Sequence, residues 1–333
     1  MQNIEIAVFA AISAALFFDF VNGFHDSANS IATIVGTRVL RPLYAVGIAA
    51  IANFAGPFIF GTAVATTVGK GIIQPTFSTV DVIFAGLIGA IIWDLITWYF
   101  GLPSSSSHAL IGGLIGSALI AGGPSALVSS GIEKTLTFIV VSPALGFSCA
   151  FGIAILVMYF LKNQTSSHVN RIFGRLQICS SIFFSVSHGA NDGQKTMGVI
   201  TALLIAGGYL ESHSFIVPVE VVLAAAFAIA LGTFFGGWRI VKTMAFKLTI
   251  LRPYQGFCAE TGGGVILTSM AWLGIPVSTT HAIAGAIMGV GATRRLSAVR
   301  WGIGKKIVYA WIITIPASAA VAAVVLAITR AII

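Results

Sequence analysis

Long apolar runs alternate with short polar stretches along the whole chain. A helix needs about 20 mostly apolar residues to cross a bilayer, and the runs have this length rather than the ~10-residue alternation of barrel strands. The pattern predicts an all-α polytopic membrane protein with two groups of five segments. The segments are 4–37, 42–62, 80–100, 103–121 and 135–161, then 177–208, 218–236, 257–273, 276–293 and 307–329.

The composition agrees with a membrane protein and excludes a soluble globular domain. Hydrophobic residues make up 57% of the chain and charged residues only 8%, whereas soluble domains average about 25% charged residues. Cys149, Cys179 and Cys258 lie far apart in apolar runs, which indicates neither a zinc site nor a disulfide framework. We therefore expect no cofactor and no resident metal.

The positive charges predict the orientation of the chain in the cell membrane. Although the net charge is +8, the basic residues form short clusters between apolar segments, so we expect a lipid bilayer and no nucleic acid as partner. The first segment lacks the basic region of a cleavable signal, so we expect it to be retained. With both termini outside, fourteen of the 18 basic residues fall in cytoplasmic loops: Arg38, Arg41, Lys162, Arg171, Arg175, Arg239, Lys242, Lys247, Arg252, Arg294, Arg295, Arg300, Lys305 and Lys306.

Two similar motifs indicate an internal repeat. Residues 101–116 and 274–289 share seven identities in sixteen positions, including the glycine, proline, serine and histidine of Gly-x-Pro-x-Ser-x-x-His. Because each group has an odd number of segments, the second enters the membrane from the opposite side, so the repeat is predicted to be inverted. We expect repeats at 1–161 and 177–333 within one membrane domain, joined by a cytoplasmic linker at 162–176.

Each group also carries an aspartate motif inside its first apolar segment. Asp26 and Asp192 each follow a glycine by three residues, and an aspartate at membrane depth costs about 2.5–3.5 kcal/mol even on the mildest insertion scale. The glycines favour a break in each helix, which would free backbone groups to bind an ion. Helix capping or pairing with Lys195 is the simpler alternative. His25 and His188 beside these motifs are candidates for proton handling.

The two Pro-Ser/Thr-His motifs predict an anion site. Each places hydroxyls after a proline at a helix start, where unpaired backbone N–H groups and the helix dipole favour negative charge. Re-entrant hairpins would bring both motifs to the membrane midplane. Ordinary helix capping explains one or two of the hydroxyls, and His108 and His281 are either structural residues or ligands. The predicted substrate-binding hydroxyls are those of Ser105, Ser106, Ser107, Ser278, Thr279 and Thr280.

Three further acidic residues lie inside apolar segments. Glu260 opens a Glu-Thr-Gly-Gly-Gly stretch, and its glycines allow close backbone approach, so Glu260 is expected to line the pathway or to pair with a cation. Asp19 is equally unlikely to be buried by chance. Asp94 lies near tryptophans and could also sit close to the membrane interface.

At these motifs the chain resembles the PiT family of inorganic phosphate transporters. The resemblance spans essentially the whole chain and implies inward symport of phosphate with Na⁺ or H⁺, an inverted-repeat fold and a homodimer. It also implies that the coupling cation binds near Asp26, Asn29, Asn191 and Asp192 and that the hydroxyls hold phosphate.

One departure from the family pattern favours H⁺ over Na⁺. Sodium-coupled members typically carry Asn-Asp-x-x-Asn in both halves, but Lys195 occupies the place that Asn29 takes in the first half. Its ammonium can replace a bound cation or pair with phosphate. The Gly-Gln-Lys sequence resembles that of bacterial members described as proton-coupled, some of which take up phosphate as a neutral complex with a divalent metal.

Two rival functions stay open from the sequence. A sulfate transporter of the same family would use the same neutral hydroxyls, although carboxylate acceptors favour phosphate because it still carries a proton. An intramembrane hydrolase using Ser107 and His108 is less favoured, because adjacent residues on one helix do not face each other. The main prediction is phosphate import by alternating access, without enzymatic activity.

Overall fold

The computed structural model describes residues 2–211 and 215–332 and confirms the all-α fold class. All ten predicted segments are helices, and two short helices add to them. Within the described residues, six helices are long and apolar enough to cross a membrane, or seven if one bent pair is a single span. The helices are α1 (Gln2–Gly36), α2 (Pro42–Phe60), α3 (Ala63–Gly71), α4 (Val80–Phe100), α5 (Ser106–Gly122), α6 (Ser129–Leu161), α7 (Ser166–Ala206), α8 (Val219–Phe235), α9 (Trp238–Lys242), α10 (Pro253–Trp272), α11 (Thr279–Ala292) and α12 (Trp301–Ile332).

The predicted helix breaks at the aspartate motifs are wrong, because α1 and α7 run through both motifs without interruption. Gly23 and Gly189 serve close packing instead. A Cβ atom on Gly23 would lie 2.2 Å from the carbonyl oxygen of Ile229, and one on Gly189 would lie 2.2 Å from that of Asn53. Each glycine thus lets a neighbouring helix approach backbone to backbone, as small residues do in membrane bundles.

The chain breaks its helices elsewhere. Gly236 has a φ of 71°, a left-handed value that glycine adopts without strain, and the chain bends by 56° between α8 and the helical stretch 238–248. The expected linker at 162–176 is partly helical. Helix α7 begins at Ser166, so only residues 162–165 separate it from α6.

Two buried apolar clusters lie on either side of the aspartate motifs. One contains Ile31 of α1 and Phe184 of α7, and the other contains Phe18 and Met197 of the same two helices. The residues between them along α1 and α7 include the buried polar side chains of both motifs. The packing therefore holds a polar layer between two apolar layers.

Equivalent glycines of the two Pro-Ser/Thr-His motifs also pack in equivalent ways. Helix α5 lies against α12, where a Cβ on Gly116 would come within 2.0 Å of the Ala319 carbonyl oxygen. Helix α11 lies against α6, where a Cβ on Gly289 would come within 2.4 Å of the Phe147 carbonyl oxygen. Helices α4 and α5 form one helical hairpin, and α10 and α11 form a second. The second helix of each hairpin is thus held tightly against the last long helix of the opposite sequence half.

Gly189→Ala is expected to destabilise the protein, because its methyl group would collide with the backbone of α2. Overpacking of this kind costs about 1–3 kcal/mol, more than the ~1 kcal/mol that alanine gains in helix propensity. The matched control on the same helix is Gly174→Ala, whose Cβ would meet only a Val39 methyl group at 3.9 Å. Thermal unfolding in detergent should show a lower midpoint for Gly189→Ala alone, and equal midpoints for both variants would contradict this account of the interface.

Candidate functional site

Helices α1 and α7 bring the two motif aspartates to one buried point. The exposed fraction is 2% for Asp26 and 0% for Asp192. The hydroxyl of Thr279 donates to Asp192 Oδ2 at 3.0 Å and lies 3.5 Å from Asp26 Oδ2. One threonine of the second hairpin therefore touches the aspartates of both halves.

The start of α11 supplies further neutral contacts to Asp26. Thr280 donates to Asp26 Oδ2 at 3.3 Å. Asn29, one turn along α1, donates through Nδ2 to the hydroxyl oxygens of Thr280 at 2.9 Å and Thr279 at 3.2 Å. The predicted cation residues and hydroxyls thus form one hydrogen-bonded group.

The start of α5 reaches the same point from the other hairpin. Ser106 Oγ lies 3.4 Å from Asp26 Oδ1. Lys195, which is 2% exposed, pairs with Asp192 and donates to Ser107 Oγ at 2.5 Å and to the Val277 carbonyl oxygen at 2.8 Å. Lys195 therefore connects one aspartate with both duplicated hairpins.

Two histidines flank the aspartates. His25 Nδ1 lies 2.7 Å from Asp26 Oδ1, while its Nε2 lies 3.1 Å from the Thr97 hydroxyl. His188 Nε2 lies 3.3 Å from Asp192 Oδ2. Ligand atoms of Asp26, His188 and Asp192 lie within 4.8 Å of one another, which is close enough for all three side chains to contact a single cation.

Four predicted site residues do not join this network: Ser105, Ser278, Asn191 and Glu260. The side chains of Ser105 and Ser278 cap α5 and α11, each accepting a backbone N–H three residues later at 3.2 Å. Helix capping, the alternative reading, is correct for these two hydroxyls. Asn191 is fully buried, but its side chain has no hydrogen-bond partner among the described residues.

Glu260 lies in a separate buried group. Its carboxylate accepts from Thr33 at 2.5 Å, from Gln177 at 3.3 Å and from Ser180. Thr33 lies seven residues after Asp26 on α1, a separation of about 10.5 Å along the helix. Glu260 therefore lies about two helical turns along α1 from the central aspartates and is surrounded by neutral donors.

A hydrogen bond from an opposing helical segment holds the turn of each hairpin. Gly101 and Gly274, which follow the ends of α4 and α10, have φ values of 64° and 63°. The carbonyl oxygen of Gly274 accepts from Thr67 at 2.7 Å, and that of Gly101 accepts from Thr243 at 2.9 Å. The two hairpin turns are thus held in matching ways by different parts of the chain.

The histidines of the hairpin motifs pack against each other behind the site. The ring centroids of His108 and His281 lie 4.6 Å apart, and His281 stacks on Trp311 at 3.9 Å. Ser107 instead contacts Lys195. Ser107 and His108 thus have different partners, an arrangement that does not resemble a hydrolytic nucleophile and its base.

The sequence interpretation missed how α1 arranges its polar residues. Asp19, Asp26 and Thr33 follow one another at seven-residue intervals, which places them on one face of a continuous helix. Two of their neighbours, Asn22 on α1 and Thr196 on α7, were not singled out either. The spacing is present in the sequence, but a helix break at Gly23 would have separated Asp19 from Asp26 and Thr33 and removed the shared face.

Helices long and apolar enough to cross a membrane, with buried charged side chains between them, fit a transport protein. The profile of the Phosphate transporter family (PHO4) matches residues 22–322. The chain belongs to this family, which confirms the resemblance seen in its motifs.

Curated relatives and a solved structure agree with this membership. The chain is 57% identical to a "Probable low-affinity inorganic phosphate transporter" of Rhizobium meliloti (strain 1021), covering 94% of this chain and 93% of that protein. It is 42% identical to a protein of the same name from Bacillus subtilis (strain 168), covering 97% of each. Its fold matches a solved structure, "The sodium-dependent phosphate transporter", with a TM-score of 0.88 and 28% identity over 98% of this chain and 100% of that chain.

Proposed function

We propose that this protein imports inorganic phosphate together with a coupling cation, which we take to be H⁺. The observation that carries the proposal is the meeting of two hydroxyl-bearing helix starts at Asp26, Asp192 and Lys195. Hydroxyls and backbone N–H groups at helix starts bind tetrahedral oxyanions without a large excess of positive charge. Family membership and the names of the relatives support phosphate as the substrate.

The charge of the site gives a physical reason for symport. With neutral histidines, Asp26, Asp192 and Lys195 carry a net charge of −1, which repels an anion in a medium of low polarity. Phosphate entering this site must bring positive charge with it, either as protons on the carboxylates or as a metal cation. The anion and the coupling ion therefore favour each other's binding.

Lys195 favours the proton as the coupling ion. Its ammonium already pairs with Asp192, at the position where the first half offers the neutral amide of Asn29. A fixed charge there takes the place of one bound Na⁺. The remaining charge can be balanced at carboxylates by protons, without the complete shell of oxygen ligands that a metal ion needs.

We propose alternating access between two inverted repeats. The matched packing of Gly116 and Gly289, and the matched hydrogen bonds to Gly101 and Gly274, support such a pair of repeats. Releasing one hairpin turn at a time would open the centre to one side. The clusters of basic residues support termini outside the cell, and the implied homodimer stays a prediction that cross-linking in membranes can test.

Uptake of radiolabelled phosphate into proteoliposomes tests the function. An inwardly directed H⁺ gradient is expected to drive accumulation at least tenfold above the level without a gradient, because protons must neutralise the site. A Na⁺ gradient alone should have little effect. Uptake that needs Na⁺ and ignores the pH gradient would refute H⁺ coupling.

Competition in the same assay separates the related alternatives. Excess unlabelled phosphate should block uptake, whereas sulfate should not, because sulfate at neutral pH carries no proton to donate to the carboxylates. Uptake that requires Mg²⁺ or another divalent metal would identify a metal–phosphate complex as the substrate. Equal competition by sulfate would overturn the assignment of substrate.

A further inference from the structure

Asp19 of α1 is a buried carboxylate that the proposed phosphate site does not use. Its exposed fraction is 0%, and neither carboxylate oxygen has a hydrogen-bond partner among the described residues. An ionised carboxylate in this condition is costly in the interior of a membrane protein. Asp19 therefore needs a positive charge bound directly to it.

The groups that face Asp19 are suited to receive a proton. Its neighbours are the side chains of Asn22 and Thr196, and both Asn22 Oδ1 and Thr196 Oγ1 also lack hydrogen-bond partners. A protonated Asp19 can donate its O–H to the Thr196 hydroxyl oxygen, while the Asn22 amide N–H can donate to the other carboxyl oxygen. Protonation would thus give the buried carboxyl and the Thr196 hydroxyl a shared hydrogen bond.

The charges around Asp19 nearly cancel. The charged groups that face it among the described residues are Asp192 and Lys195, both on α7, and these two already pair with each other. Lys195 directs its ammonium to Asp192, Ser107 and Val277. No fixed positive charge is therefore left over to neutralise Asp19.

A cleft opens beside the part of α7 that follows Thr196. Thr196 is one turn beyond Asp192 on α7, and Val199 follows it by three residues. Val199 lines a small cavity that shares Ile73 and Ala202 with a cleft of about 420 Å³. The cleft lies near the end of α7 that the proposed topology places outside, the side from which the coupling proton would arrive.

We propose that Asp19, with Asn22 and Thr196, forms a proton-binding site distinct from the phosphate site, and that Asp19 carries the coupling proton. This inference rests on the H⁺ symport proposed above. A proton from external water binds one carboxylate oxygen and gives a neutral acid; the same proton returns to water on the cytoplasmic side. Phosphate gains and loses no bond in this step.

A proton site at Asp19 would affect phosphate exchange and net phosphate uptake differently. Phosphate exchange needs only the loaded, protonated carrier, whereas net uptake needs the empty carrier to return with Asp19 deprotonated. Asp19→Asn imitates the protonated residue permanently. It should therefore keep exchange and lose accumulation.

The experiment uses the full chain in proteoliposomes. For Asp19→Asn, exchange of labelled for unlabelled phosphate should stay within about twofold of wild type, while accumulation driven by a pH gradient falls at least tenfold. The alkalinisation of the external medium that accompanies phosphate entry should disappear. Asp19→Glu should restore both, and the control Asp81→Asn, at an exposed carboxylate paired with Arg330, should behave as wild type.

The outcomes separate this inference from the proposed function. Wild-type accumulation and proton entry in Asp19→Asn would overturn the role of Asp19 alone. Loss of exchange in a folded Asp19→Asn protein would also overturn it, since the residue would then serve phosphate binding. A wild-type protein that ignores the pH gradient would refute H⁺ symport itself, and the Asp19 site with it.

Discussion

Lys195→Ala is expected to abolish phosphate uptake and to lower the stability of the protein by about 3–5 kcal/mol. Removing one partner of a buried ion pair leaves the other charge without compensation, and Asp192 is fully buried. The substitution also removes the donor to Ser107 and to the Val277 carbonyl, so both hairpins lose a contact with α7. Uptake in proteoliposomes and thermal unfolding in detergent measure the two effects.

Matched variants identify the cause of the loss. Lys162→Ala removes an exposed lysine at the end of α6 and should leave uptake and unfolding unchanged. The double variant Lys195→Ala/Asp192→Ala removes both charges and should recover much of the stability but none of the uptake. Wild-type uptake by Lys195→Ala would exclude Lys195 from the site, and unchanged stability would exclude the buried pair.

Lys195→Asn tests why this chain carries a lysine. It places in the second half the residue type that Asn29 supplies in the first. If the ammonium substitutes for a bound cation, Lys195→Asn should take up phosphate only when Na⁺ is present. Phosphate uptake by the wild type should not need Na⁺.

Asp26→Asn is expected to reduce both phosphate accumulation and phosphate exchange to the level of empty vesicles while the protein stays folded. Asp26 lies among the groups that we assign to phosphate, with Thr280 at 3.3 Å, Ser106 at 3.4 Å and Thr279 at 3.5 Å. Asparagine has nearly the same shape but lacks the charge and the ionisable oxygen that would relay the coupling proton. Its amide group would also face hydroxyls that now donate to a carboxylate.

Asp19→Asn and Asp26→Asn should differ in phosphate exchange. Both variants neutralise an aspartate on the same face of α1, seven residues apart, but only Asp26→Asn should lose exchange. Asp192→Asn should behave like Asp26→Asn, with added destabilisation because Lys195 loses its partner. Exchange at the wild-type rate by Asp26→Asn would contradict its place in the site.

The sequence predicted the membrane class and the ten long helices because the hydrophobic requirement of a bilayer is local. About 20 apolar residues in a row leave few structural alternatives. Local information was not sufficient to predict the role of Gly23 and Gly189. A glycine in a helix can mark a break or a close contact, and only the positions of Ile229 and Asn53 decide which one applies.

The candidate site shows the same division between local and tertiary information. The motifs identified Asp26, Asp192, Lys195 and most of the hydroxyls because buried polar residues are costly and therefore rare in membrane segments. They did not distinguish Ser105 and Ser278, which cap their helices, from Thr279, which reaches both aspartates. Side-chain direction at a helix start depends on the contacts of the whole hairpin.

Burial cost and hydrophobic length, which act residue by residue, are why the sequence alone determined a helical membrane protein with paired aspartate and hydroxyl motifs. The resemblance that those motifs carry is what implied phosphate transport. Only the tertiary structure decided that Lys195 connects Asp192 with both hairpins, that Glu260 stands apart, and that Asp19 has no hydrogen-bond partner among the described residues. These features arise between helices distant in sequence. They depend on the rotation and depth of each helix against its neighbours, which helix packing sets and no local pattern records.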